Sequence, residues 1–91
     1  MRIRWTPAAA DDLEAIADYL AKHFPSFTQT TIREIYETIA TLRSLPQRGR
    51  IGHEDGTREL VIARLPYIVV YRIKADAVEI LHVYHGAQNR P

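Results

Sequence analysis

The chain has no cysteine and only four glycines in 91 residues. Without thiols, a disulfide scaffold and a thiolate zinc site are both excluded. No apolar run approaches the roughly 18 residues that a membrane helix needs. No membrane contact is therefore expected, and because no signal-like stretch follows Met1, the cytoplasm is the expected compartment. A dominant charge is also missing, since 12 Lys and Arg against 11 Asp and Glu leave a net charge of +1. That is too small a cation excess for a protein that coats nucleic acid. Repeats and low-complexity tracts are absent, so residues 1–91 read as a single domain.

What is present suits a small globular core, with 46% hydrophobic and 25% charged residues. Ten of the 12 cations are arginine. Arginine offers a planar fork for carboxylates, phosphates or base edges. The cations lean toward the second half of the chain, with a net charge of -1 over residues 1–45 and +2 over residues 46–91.

Ile3 and Trp5 alternate with Arg2 and Arg4 as in a half-buried strand. Thr6 then supplies a helix N-cap, with Pro7 in the first helical position. Ala9, Leu13, Ile16, Ala17, Leu20 and Phe24 follow at helical spacing. The acids Asp11, Asp12, Glu14 and Asp18 read as a solvated helix face. Pro25 ends this helix, and Ser26 with Gln29 has the form of a capping box opening a second one. Ile32, Ile35, Tyr36, Ile39 and Leu42 carry the second helix toward Pro46, although its β-branched residues favour strands. The short link predicts an antiparallel helical hairpin.

Residues 46–57 read as a loop from their proline, glycines and charges. Three strands follow at 58–64, 67–74 and 77–85, separated by turns. The order β-α-α-β-β-β predicts an α+β domain, with the N-terminal strand and the hairpin packed on an antiparallel sheet. A turn at Ala75-Asp76 sets Tyr71 opposite Ile80 and Tyr67 opposite Tyr84. Tyr67, Val69, Tyr71, Ile73, Val78, Ile80, His82 and Tyr84 then face the core. Ile68, Val70, Arg72, Leu81, Val83 and His85 lie on the other face, an apolar surface edged by cations that suits a protein partner. The parity of strand 58–64 stays open. Arg48 and Arg50 stand out because a mobile loop gives them no packing reason to be there. His82 and His85 point to opposite faces, so no shared metal is expected.

Several separated motifs, taken in order, resemble the RelE/ParE family of type II toxins. They are Trp5-Thr6-Pro7-Ala8-Ala9 with Asp12-Leu13, the loop Pro46 to Gly49, and Gly56-Thr57-Arg58-Glu59-Leu60. Tyr67 to Arg72, Val78-Glu79-Ile80-Leu81 and His85-Gly86-Ala87-Gln88 complete the set. The likeness spans nearly the whole chain and is strongest to the ParE branch, although Gln88 stands where that branch usually has arginine.

The resemblance implies the RelE/ParE fold and a growth inhibitor of the kind that serves plasmid stabilization. Its partner would be a cognate antitoxin that wraps it as a hetero-oligomer, with Ile68, Val70, Arg72, Leu81 and Val83 as the antitoxin-binding face. ParE-like members poison DNA gyrase without hydrolysis; the residues expected to bind such a target are Arg48 and Arg50 in the loop, Arg58 at the start of the second strand and His85 at the end of the last, at one rim of the sheet. RelE-like members instead cleave mRNA on the ribosome. Cleavage at a 2'-hydroxyl needs a base, a phosphate-stabilising cation and an acid. In one nuclease sub-type the glutamate position falls near Arg58, the arginine position near Ile68, and the histidine on His85 followed by Gly86. Only the histidine matches. Other nuclease members use lysine and arginine in place of glutamate, and by likeness to them Arg58, Arg64, Arg72, Tyr84 and His85 form the alternative nuclease set. No cofactor or metal is implied under either reading. A third reading is an interaction module that has lost toxicity.

Overall fold

The structure, a computed structural model, describes residues 1–86. Strand β1 (Arg2–Trp5) leads directly into helix α1 (Pro7–His23). The Thr6 side chain accepts from the Ala9 N–H at 3.2 Å and also donates to the Ile80 carbonyl at 2.7 Å. One residue thus starts the helix and fastens it to the sheet. The acids lie beyond the first turn of α1, while Lys22 and His23 occupy its last turn, where the helix dipole favours cations.

Pro25–Phe27 form a single 3-10 turn before α2 (Thr28–Ala40). The expected capping box is not made. Ser26 lies inside the 3-10 turn, and Phe27 takes the cap position without a side-chain hydrogen bond. A second 3-10 turn at Thr41–Arg43 closes α2 before Pro46. It tucks Leu42 fully into the core.

Among the described residues the sheet has five strands, in the order β1-β5-β4-β3-β2. The segment read as all loop contains a two-residue strand, β2 (Arg50–Ile51), paired with β3 (Arg58–Val61). β4 (Tyr67–Ile73) and β5 (Ala77–His85) complete an antiparallel meander, and β1 joins β5 in parallel. Ala9 and Leu13 of α1, Ile35 and Ile39 of α2 and one face of the sheet make up the core. In β3, Leu60 points inward, as does Ile62 just beyond it, which settles the parity of that segment.

Tyr71 pairs with Ile80 as the turn predicts, but a β-bulge between Val70 and Tyr71 shifts everything beyond it. Val70 meets His82, Val69 meets Val83, Ile68 meets Tyr84 and Tyr67 meets His85. Because side chains alternate with period two, one extra residue in β5 turns the rest of the strand over. Val83, expected on the partner-binding face, is therefore a core residue with 2% exposure. His82 and Tyr84 change places with it and leave the core face. The Ala87-Gln88 end of the last motif lies outside the described residues.

Candidate functional site

The loop that carries Arg48 and Arg50 is pinned to the sheet. The buried Tyr71 hydroxyl donates to the Pro46 carbonyl at 2.7 Å and accepts from the Gly49 N–H at 2.8 Å. Burial raises the Tyr71 pKa above its ordinary value, so the hydroxyl keeps its proton for that donation. Arg58 donates to the Gly49 carbonyl at 2.8 Å and to the Gln47 carbonyl at 3.4 Å. Arg48 reaches the Thr41 hydroxyl at 2.8 Å. Arg50 pairs with Glu59 at 3.1 Å. The loop is therefore ordered by specific bonds, and both arginines have local partners that the linear pattern does not reveal.

Arg58 stands opposite Tyr71 on β4, so Arg48, Arg50 and Arg58 gather at one end of the sheet. His85 stands opposite Tyr67 at the other end, four residues along the same strand. At the rise of a β-strand that is about 13 Å. The expected rim of three arginines and a histidine is thus divided.

The outer sheet face carries rows of alternating charge. Arg4, Glu79 and Arg72 sit side by side on β1, β5 and β4. Glu79 accepts from Arg72 at 2.8 Å and is also bonded by Arg4. These two guanidinium groups hold its carboxyl below the usual value, the Arg72 bond contributing most. In the adjoining row lie His82, Val70, Glu59 and Arg50. Of the expected antitoxin-binding set, Ile68, Val70 and Arg72 share this outer face, and Leu81 is half-buried at the bulge. Ile68 is itself only 8% exposed, so this side is less bare and more polar than the sequence suggested.

The alternative nuclease set is also scattered. Arg58 and Arg72 lie at one end of the sheet, on opposite faces, and Arg72 is tied to Glu79. Tyr84 and His85 end β5 at the other, and Arg64 sits in the turn before β4. Among the described residues no cluster of three His, Asp or Glu side chains could hold a metal ion. None of the described helices is long and apolar enough to cross a membrane.

A groove of about 1030 Å³ runs past the part of β5 that β1 does not cover. Its apolar bank comes from the hairpin, where Tyr19, Phe24 and Phe27 are exposed; Leu65 and Tyr67 also line it, as do His53, Glu54 and Thr57 of the loop and Glu59 of β3. Asp12 guards the strand edge, its carboxylate accepting from the Val83 N–H at 3.0 Å and lying 3.1 Å from His82 Nδ1. Sequence reasoning missed this groove because Tyr19, Phe24 and Phe27 have no common helical face, and it is the Pro25 turn that brings them together.

Comparison with known proteins agrees with this architecture. The family model for the ParE toxin of the type II toxin-antitoxin system parDE matches residues 3–90. The candidate toxin Y4kP of Sinorhizobium fredii is 42% identical over 90 residues, covering 99% of this chain and 93% of its own. Toxin RelE2 of Caulobacter vibrioides is 31% identical over 87 residues, covering 96% and 97% of the two chains. A solved structure of the chromosomal ParDE toxin-antitoxin system from P. aeruginosa superposes with a TM-score of 0.85 at 28% identity, over 93% of this chain and 95% of that one.

Proposed function

The chain belongs to the ParE toxin family of type II toxin-antitoxin systems, and from that membership we propose that it arrests growth by binding DNA gyrase and is silenced by a cognate antitoxin. The observation that carries this reading is the scatter of the groups a nuclease would need. Arg58 and Arg72 are separated from Tyr84 and His85 by much of the sheet, and Arg72 is engaged by Glu79. A base, a cation and an acid must converge on one phosphate within hydrogen-bond reach, and these groups do not. Inhibition by binding needs only a surface. Arg48 and Arg58 at one end of the sheet, with Arg50 at the same end on the outer face beside Glu59, supply the cations for one.

The antitoxin occupies the groove beside β5 in this reading and extends over Ile68, Val70, Arg72 and Leu81. Burying the hairpin aromatics makes the complex depend on apolar contact more than on salt.

The test pairs induction in cells with purified components. A gyrase poison halts replication and triggers DNA-damage signalling while translation continues, and the purified protein blocks supercoiling without cutting RNA. Arg48→Ala and Arg50→Ala each lower inhibition by about 1–3 kcal/mol of binding energy if they are hot spots, with His85→Ala as the distant control. Early arrest of translation with mRNA cut only on ribosomes would replace this reading with the nuclease one.

A further inference from the structure

We infer that Tyr71, a core residue of β4, is the positioning residue that sets the basic loop in its active shape. This rests on the reading of Arg48 and Arg50 as the target contact and names what holds them in place. Tyr71 is fully buried, and its ring belongs to the core. Packing alone would be served by phenylalanine. The hydroxyl instead spans the loop, binding the Pro46 carbonyl and the Gly49 N–H on either side of Arg48.

Two further observations tie the same point down. Arg58, the cross-strand neighbour of Tyr71, binds the Gly49 carbonyl, so both polar groups of Gly49 are held by side chains from the sheet. A Cβ at position 49 would lie 2.7 Å from the Tyr71 hydroxyl oxygen and 2.8 Å from the Glu59 carbonyl oxygen. The loop backbone thus lies directly on the sheet, with no room for a side chain between them. A short loop fixed at both ends loses little freedom when its arginines meet a target, and that preorganisation is the advantage of the arrangement.

The antitoxin groove beside the C-terminal part of β5 reaches this loop only at His53, Glu54 and Thr57, whereas the Tyr71 hydroxyl holds Pro46 and Gly49, so the two binding activities should separate. Tyr71→Phe keeps the ring and removes only the hydroxyl. The expected result is a folded protein, by circular dichroism and thermal melting, whose Gly49 amide exchanges faster with solvent. Its growth inhibition on induction falls about tenfold or more, while antitoxin affinity stays within about threefold. Gly49→Ala, which keeps the Tyr71 hydroxyl but drives a Cβ against it and against the Glu59 carbonyl and so displaces the loop, reproduces the same split. Full toxicity in folded Tyr71→Phe despite faster Gly49 exchange would overturn the inference. Equal loss of toxicity and antitoxin affinity would also overturn it, because Tyr71 would then be a general stabiliser. If the Arg48→Ala, Arg50→Ala double variant stays fully toxic, the reading of the loop as the target contact fails first, and the role of Tyr71 falls with it. Toxicity lost in that double variant but kept in both Tyr71→Phe and Gly49→Ala leaves the loop reading standing and rejects the positioning role alone.

Discussion

At the scale of single residues, Arg64 is the anomaly. It is the one non-glycine residue with positive φ among those described, at 67°. It sits in the turn closed by the Ile62 N–H on the Tyr67 carbonyl at 3.0 Å. The left-handed region crowds a Cβ against the following carbonyl, and only glycine enters it freely. Arg64→Gly should therefore raise stability by about 0.5–1 kcal/mol in urea unfolding, after allowing for the greater freedom glycine gives the unfolded chain. Under the gyrase reading this variant keeps its toxicity. A nuclease that used Arg64 would lose it, so one substitution informs both stability and mechanism.

At the scale of elements, the joint between α1 and β5 organises the fold. β1 covers β5 only from Ala77 to Ile80, which leaves the rest of that edge open. Exposed strand edges invite pairing with other chains. Here the first helix supplies the cover, since Asp12 takes the Val83 N–H that no strand takes. Asp12→Ala should cost about 1 kcal/mol of stability, the usual net value of such a hydrogen bond, measured by urea unfolding. It should also increase self-association in sedimentation, because the edge donor is released. No effect on either would mean that the contact is incidental.

At the scale of the whole molecule, Glu79 links the N-terminal strand to the meander. Arg4 from β1 and Arg72 from β4 converge on it from either side. Its carboxyl has a lower pKa when folded than when unfolded. The stabilisation is thus complete above the unfolded value of about 4.5 and is lost as pH falls through the lower folded value. Melting temperature should fall in that acid range for the wild type and fall less steeply for Glu79→Gln. Identical pH profiles would show that the bridged carboxylate contributes nothing to acid stability.

The linear pattern by itself determined the class and order of the main elements, though not the two-residue β2. Thr6-Pro7 starts a helix because a hydroxyl cap and a residue with no N–H are suited to that junction wherever it occurs. The β-branched runs after residue 57 make strands for equally local reasons, and Ala75-Asp76 sets the register close to the turn. Tertiary structure decided the rest. The bulge opposite Val70 and Tyr71 reverses the C-terminal half of β5, placing Val83 in the core and Tyr84 outside. Alternation in sequence cannot reveal a skipped residue, because Val83 and Tyr84 each suit either face of a strand. The basic loop shows the same division. Its charge is legible in the chain, but the bonds that hold it come from Tyr71 and Arg58, 22 and 9 residues from Gly49, and only folding brings those partners together.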